Sequence, residues 1–245
     1  MNLEEEIIKK IPADKVYDDA ISPAMRQIGG ALESTAKAAR FILAPIEYVA
    51  AYRDRWEKHL QKVSSKVAEE NLMQGHPQIV VPVMEGLILS YDESLLSEMF
   101  INLLACSIDK TKQNFVHPAF PRILQSLSHD EAVILFHLKR QDFKLRQQSD
   151  FNEMTHLFSS RRVVLNEFPL NDLQFPDQFF TLMDHLHSLT LAGVWQDGNQ
   201  EVISDKLTEK QTGVYINSNI QLTDFGKLFV AACVPDQIPS DIKSE

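Results

Sequence analysis

Apolar residues recur at three- and four-residue steps along the first part of the chain, and this spacing is the strongest constraint on what it can fold into. The series begins Ala24, Ile28, Leu32 and continues to Ala50. Such spacing places the apolar side chains on one face of a helix. We therefore predict one or two long helices over residues 14–75.

Three positions are expected to interrupt or end these helices. Gly29-Gly30 and Pro45 predict kinks or breaks, and Gly75-His76-Pro77 predicts the end. From Tyr52 to Glu70 the sequence is charged but keeps one apolar stripe. That pattern is typical of a surface helix or of a helix that packs on a partner.

Two shorter helices with matching apolar faces are predicted next. The first covers residues 77–90, and Pro82 must lie in its first turn or kink it. Asp92 is the predicted N-cap of the second helix, which runs to about Ile108. The short link between the two predicts an antiparallel pair.

The second half of the chain has a mixed pattern. Ser128 and Glu131 form a capping-box sequence, which predicts the start of a helix. After about Gln147 we predict a short helix, a strand, a helix, a β-hairpin and a last helix. Their respective positions are residues 151–158, 161–168, 176–193, 194–222 and from Thr223 onward. This order is typical of a winged-helix unit.

The predicted fold class is therefore mainly α. It consists of N-terminal long helices and a central helical pair, followed by a C-terminal winged-helix-like α+β unit. The predicted domains are residues 1–121, which are helical, and residues 122–245, which are winged-helix-like and end in an acidic tail.

Charge and cysteine content restrict the function classes. The formal net charge is −10, whereas a protein that coats nucleic acid presents a basic face, so we expect no nucleic-acid partner. Cys106 and Cys233 each lie in an apolar run and are expected to be buried, reduced thiols. No basic, apolar leader and no apolar run of spanning length is present, so we expect a cytoplasmic protein without a membrane partner.

No sequence pattern for a metal, nucleotide or nucleophile site is present. His185 and His187 are two residues apart, whereas a metal shared on a helix needs a spacing of three or four. The chain has no HExxH, paired CxxC, GxSxG, Walker A or GxGxxG sequence. We therefore expect neither a metal nor a small-molecule cofactor.

Arg53, Asp54 and His59 form one candidate catalytic set. An Arg, a polar residue and a later His resemble the motif of the HEPN ribonucleases, which are also helical. Such a His could handle the 2′-hydroxyl proton while the Arg holds phosphate. The competing interpretation is a solvated, charged helix face.

Two further groups of residues are candidate binding sites. His117 and Pro118 form a polar connector, in which His117 is either a binding residue or base, or a structural residue that hydrogen-bonds a free helix end. Arg161-Arg162, with the basic residues between Lys139 and Arg146, could form a patch for an anionic ligand. The predicted helix after Pro176 carries no Lys or Arg, which argues against groove reading by that helix.

The segment from Ile79 to Leu138 carries a family resemblance. It contains Val-Val-Pro-Val-Met-Glu-Gly-Leu at 80–87, an acidic-led helix ending in Leu-Leu-Ala at 103–105, His-Pro-Ala-Phe at 117–120 and Leu-Ser at 127–128. Leu-Thr-Asp-Phe-Gly follows at 222–226. In this order and spacing the chain resembles the Abi-alpha family of bacterial abortive-infection proteins, from about residue 24 to 233.

The resemblance implies a role in defence against phage and supplies no active site. The leading hypothesis is an effector or regulator, favoured over an enzyme, that acts through contacts with a protein partner or as a homo-oligomer. One alternative is a HEPN-like ribonuclease toxin that uses Arg53 and His59. The other is a membrane-perturbing effector that uses the apolar helix over residues 24–51.

Overall fold

The computed structural model describes residues 52–91 and 93–237. Its helices are α1 (Tyr52–Ser65), α2 (Pro77–Leu89), α3 (Leu95–Ser107), α4 (Phe120–Ser126), α5 (His129–Leu138), α6 (Phe179–Ser188) and α7 (Asp224–Cys233). Its strands are β1 (Phe143–Asn152), β2 (Leu157–Asn166), β3 (Ala192–Gln196), β4 (Glu201–Ser204) and β5 (Gln211–Leu222).

Several sequence predictions fall on residues that the structure does not describe. The apolar series up to residue 51, with its breaks at Gly29-Gly30 and Pro45, lies outside the described residues. The same holds for Asp92 and for residues 238–245 of the acidic tail. Within the described residues, α1 begins at Tyr52 and ends at Ser65, well before the predicted end at Gly75.

The strands form one antiparallel sheet, and this makes the mainly-α prediction wrong. The order across the sheet is β2-β1-β5-β3, and β4 also pairs with β5. All of these pairs are antiparallel. The fold is α+β, and a winged-helix-like unit with a single short strand and a hairpin underestimates the sheet.

The strands β1 and β4 are not predicted from the sequence, and the helix predicted over residues 151–158 is wrong. Those residues are the end of β1, a turn and the start of β2. Inward-facing positions of β1 include the buried polar residues Gln147 and Ser149, so the strand lacks a clear apolar alternation. The turn between β1 and β2 contains neither Gly nor Pro and instead holds His156 at a φ of 54°.

Other predicted elements are confirmed. The strand predicted at 161–168 is β2, and the hairpin strands predicted at 194–195 and 214–222 are β3 and β5. At the start of α5, Ser128 Oγ accepts the Glu131 N–H at 3.3 Å and Glu131 Oε2 accepts the Ser128 N–H at 2.7 Å, which completes the predicted capping box. Thr223 Oγ1 accepts the Gly226 N–H at 2.8 Å and caps α7. The side chain that caps α3 is Ser94.

The apolar core is centred on α3 and α5. Helix α3 is packed by α2 and α7, and α5 is packed by α6 and β5. The large side chains with less than 2% exposure include Leu87, Met99, Phe120, Ile134, Leu145 and Phe229. Five of them lie on helices and Leu145 lies on β1, and α5, α6 and α7 contact the strands of the sheet.

The chain divides into two units between Leu60 and Gln61. Among the described elements, only the part of α1 up to Leu60 belongs to the first unit, and all the others belong to the second. The domain division predicted at residues 121/122 stays a prediction. In the part of the chain that the structure describes, no helix is both long enough and apolar enough to cross a bilayer.

Candidate functional site

A groove of about 720 Å³ lies beside the end of α2, the start of α3 and the end of α4. Its floor is apolar because Leu96 and Phe100 from α3, Leu124 from α4 and Leu127 all face it. Phe100 and Leu124 are nearly fully buried. They therefore belong to the core and also form the floor of the groove.

Apolar side chains continue from the floor to the edge of the groove. Leu89 ends α2 and is 72% exposed, and Tyr91 follows it and is 67% exposed. Large apolar side chains that are this exposed and lie beside a concave surface often mark an interaction site. Leu89 and Tyr91 therefore add apolar surface to the groove beside its floor.

The edge of the groove is acidic. Glu85 and Glu93 line it, and among the described residues that line it there is no Lys or Arg. His129 at the first turn of α5 also lines the groove. Carboxylates over an apolar floor of low dielectric give the groove a negative potential.

The backbone at the groove edge is held in a left-handed conformation. Glu93 has a φ of 60°, which costs a non-glycine residue about 1 kcal/mol. The Ser94 side chain fixes the next residues by accepting the Ser97 N–H at 3.1 Å. Strained, well-fixed backbone of this kind is common at binding sites.

The far wall of the groove is fixed by a buried carboxylate. Asp130 is 3% exposed, and its two oxygens accept the backbone N–H groups of Gln174 and Phe175 at 2.8 and 2.9 Å. Gln174 lines the groove. The next residue, Glu131, is also buried and pairs with Nδ1 of His185 on α6. The start of α5 therefore positions this wall through two adjacent acids.

The structure places the three residues of the ribonuclease prediction on α1. The side chains of Arg53 and Asp54 lie outside the described ones, and His59 is buried, with 6% exposure. A histidine that takes a proton from RNA has to reach a solvent-borne substrate. The ribonuclease assignment stays a prediction that this arrangement does not favour.

His117 has the geometry of the structural alternative. Its Nδ1 accepts the Ala119 N–H at 3.1 Å, just before α4 begins. Its ring centroid lies 5.6 Å from that of Phe120 and 5.3 Å from that of Phe225 on α7. His117 therefore connects the start of α4 to α7, and a ligand-binding role for His117 and Pro118 stays a prediction.

Most of the basic residues predicted as an anion patch are paired with acids of the same chain. Lys144 and Arg146 lie on the outer sheet face, where they pair with Asp197 and Glu201 at 3.1 and 2.6 Å. Arg162 pairs with Asp150 at 2.7 Å.

The remaining basic residues of the predicted anion patch are Lys139, Arg140 and Arg161. Lys139 and Arg140, at the end of α5, contact the chain around Asp236. Arg161 lies on β2 and is exposed. Among the described residues, Arg161 is the member of the patch for which no ion pair or side-chain hydrogen bond is found.

The two cysteine thiols lie in the apolar core. Cys106 and Cys233 are both buried, and burial raises the pKa of each thiol. Among the described residues no three His, Cys, Asp or Glu side chains are grouped as metal ligands.

The groove itself was not predicted from the sequence, because its wall joins α2, α3 and α4 to Gln174 and only the fold brings these together. One sequence signal was that Leu89 and Tyr91 place apolar side chains at the junction of two predicted helices.

The comparisons with known proteins give one match. Residues 50–233 match the model of a protein family described as abortive infection alpha (Abi_alpha). The match includes the groove, the sheet and α7. No curated protein and no solved structure matches the chain.

Proposed function

The chain belongs to the abortive infection alpha family, and from this we propose that it acts in abortive infection by binding a partner protein in the groove between α2, α3 and α4. The partner segment is an amphipathic helix with an apolar face and flanking Lys or Arg residues. The protein is then an effector or regulator that works through contacts rather than through a reaction of its own.

The observation that carries this proposal is the combination of an apolar floor with an acidic edge. A partner helix places side chains at positions i, i+3, i+4 and i+7 into such a groove. Leu96, Phe100 and Leu127 would receive these side chains. Glu85 and Glu93 at the edge would then face the basic flank, which sets orientation and association rate.

The charges elsewhere on the second unit support a protein partner over nucleic acid. Affinity for a phosphate backbone depends on Lys and Arg side chains that are free to replace its counterions. Lys144, Arg146 and Arg162 are each paired with an acid of the same chain.

Binding of designed peptides to the full chain tests the groove. The probe is a fluorescent amphipathic helical peptide with a leucine stripe and lysine flanks, and the comparison peptide has glutamate flanks. We expect the lysine peptide to bind at least about tenfold more tightly, because only it complements Glu85 and Glu93. Leu89→Arg should abolish this preference, since it puts a positive charge at the groove edge without disturbing a buried side chain.

Val81→Arg is the matched control. Val81 is also on α2 and is 52% exposed, but it does not line the groove. The Val81→Arg variant should bind the lysine peptide as tightly as the wild-type chain does. In cells that carry the gene, Leu89→Arg should lose protection in a phage-plating assay, while Val81→Arg keeps it. Equal binding of both peptides, or full protection with Leu89→Arg, would show that the groove does not carry the function.

A further inference from the structure

Two turns of the sheet repeat one sequence pattern. The turn between β1 and β2 is Asn-Glu-Met-Thr-His at 152–156, and the turn between β4 and β5 is Asp-Lys-Leu-Thr-Glu at 205–209. Each consists of an Asn or Asp, a charged residue, a large apolar residue, a Thr and a last residue in the left-handed region. These last residues, His156 and Glu209, have φ values of 54° and 56°. The same turn is therefore formed twice.

The side chain of the first residue closes each turn. Asn152 Oδ1 accepts the N–H groups of the third and fourth residues of its turn at 3.0 and 3.1 Å. Asp205 Oδ1 accepts the corresponding N–H groups of the other turn at 2.9 and 2.8 Å. The N–H groups at both apexes are thus satisfied within the turns and need no water.

The two turns lie side by side at one end of the sheet. Gly213 of β5 pairs with Asp150 of β1 and with Ile203 of β4, so β1 and β4 are on opposite sides of β5. Asn152 and Asp205 each lie two residues further along, and both turns therefore begin at the same level. Both hairpins run in the same sense across the sheet, so a shift of two strands, about 10 Å, relates one turn to the other.

The third residue of each turn is a large apolar residue that the fold does not use. Met154 and Leu207 are 90% and 94% exposed, so they bury almost no apolar surface, and each gives only its backbone N–H to the turn. Turns favour small polar residues and glycine. The adjoining strands add Leu157, Phe158 and Val202, which are 65%, 49% and 62% exposed. Exposed apolar surface of this kind marks an interaction site.

We propose that this end of the sheet attaches reversibly to the surface of a lipid bilayer, with Met154 and Leu207 inserted just below the headgroups. Two apolar apexes at the same level enter a flat surface together. Backbone groups that leave water for lipid are costly unless they are already hydrogen-bonded, and those of both apexes are. The sequence-based prediction of no membrane partner considers only spanning and leader segments, and it does not apply to exposed turns.

The size and chemistry of the two apexes favour lipid over a protein partner. Two projecting side chains offer far less surface than the roughly 1,000 Å² that a specific protein interface buries. Such an interface also uses direct hydrogen bonds, whereas the apex N–H groups are occupied within the turns. A fluid bilayer needs neither a matching shape nor these donors. The turns are also separate from the groove, so attachment is compatible with the proposed partner helix.

The charges of the turns favour a zwitterionic surface over an anionic one. The turns and the adjoining Lys210 carry two Lys against three acidic residues, which is a net charge of −1. Glu153 of one turn pairs with Lys210 beside the other at 2.6 Å. Attraction to anionic lipid requires a cluster of Lys and Arg, and the whole chain has a net charge of −10. Attachment should therefore depend on apolar insertion and change little with salt.

Co-sedimentation of the full chain with phosphatidylcholine vesicles tests the proposal. The wild-type chain should pellet in proportion to lipid, equally at low and high salt. The double variant Met154→Ser with Leu207→Ser should lower the partition coefficient at least about tenfold, because both inserted side chains lose their apolar surface. Both positions are exposed, so the fold is not disturbed.

Leu89→Ser is the matched control, because it removes an exposed leucine from the groove edge instead. It should co-sediment as the wild-type chain does. A wild-type chain that stays in the supernatant at all lipid concentrations would overturn the proposal. The same holds for a double variant that pellets like the wild-type chain, for a loss in Leu89→Ser as large as in the double variant, and for binding that requires anionic lipid and disappears in salt.

A polarity-sensitive dye reports which residues enter the lipid. Met154→Cys and Leu207→Cys supply exposed thiols, whereas Cys106 and Cys233 are buried. Vesicles should shift the emission of both labelled turns to shorter wavelength. A label at Asn171→Cys should not shift, because Asn171 is exposed beyond the opposite end of β2. A shift at only one turn, or an equal shift at Asn171→Cys, would contradict joint insertion.

Discussion

At Gly226 the last described helix closely approaches the backbone that precedes β3. A Cβ atom at this position would lie 1.8 Å from the backbone oxygen of Leu191, just before β3. The Thr223 N–H donates to the same Leu191 oxygen at 2.9 Å. Within the sequence Leu-Thr-Asp-Phe-Gly, Thr223 caps α7 and Gly226 allows the two backbones to approach closely. Both residues therefore have a structural role in the placement of α7.

Gly226→Ala should destabilise the chain strongly. The atom it meets is backbone, so α7 has to move away from Leu191, and we expect a loss of at least about 3 kcal/mol in the free energy of unfolding. Gly198→Ala is the comparison, because Gly198 has a φ of 72° and a Cβ added there would meet nothing within 4 Å. It should cost only about 1 kcal/mol. Urea unfolding of both variants measures the difference, and similar losses would refute the close approach.

At the scale of elements, the start of α5 organises its surroundings. Its first turn carries Asp130 and Glu131, both buried. Asp130 accepts two backbone N–H groups from the segment that follows β2, and Glu131 pairs with His185 on α6. This helix start therefore positions both the far wall of the groove and the neighbouring helix.

Asp130→Ala should release the segment around Gln174 while the rest of the fold persists. Two N–H groups lose a charged acceptor, and we expect a cost of roughly 3 kcal/mol. Hydrogen exchange at the Gln174 and Phe175 amides should become at least about tenfold faster. In Asp224→Ala the lost side chain is 99% exposed and pairs with Lys227 in the same helix, so the Gln174 and Phe175 amides should exchange as in the wild-type chain. Unchanged exchange in Asp130→Ala would show that the segment is held by other contacts.

The elements also show what the sequence could and could not predict. Caps are local patterns, so Ser128 with Glu131 and Thr223 marked two helix starts correctly. Strand β1 was missed because Gln147 and Ser149 occupy inward positions where the pattern requires apolar residues. The groove depends on Gln174 lying beside Leu124 and Leu127, and such a contact between distant residues leaves no periodic signal.

At the scale of the whole molecule, the two cysteines report on the central core. Cys106 on α3 is 7% exposed and Cys233 on α7 is fully buried. Cys106 Sγ lies 3.4 Å from the Ala232 carbonyl oxygen, and the Asn102 side chain donates to the Cys233 carbonyl at 2.9 Å. Both thiols are thus enclosed by the contact between α3 and α7.

The native chain should react only slowly with a thiol-specific disulfide reagent at pH 8. The thiolate is the reactive form, and burial raises the pKa of both thiols, so labelling requires the core to open. Both thiols should label at once in unfolding concentrations of urea. Val202→Cys supplies an exposed thiol that should label immediately in the native state. Rapid modification of Cys106 or Cys233 in the native chain would mean that α7 leaves α3 without global unfolding.

The position of β5 in the sheet has a consequence for synthesis. This strand pairs with β1 on one side and with β3 and β4 on the other, yet it is the last of the described strands to leave the ribosome. Until residues 211–233 emerge, β1 lacks its neighbour β5 and α3 lacks the helix that covers Cys106. Contacts between residues so distant in sequence form slowly. The nascent chain therefore exposes its central helices and an incomplete sheet until these residues emerge, and this is the period in which chaperones have the most surface to bind.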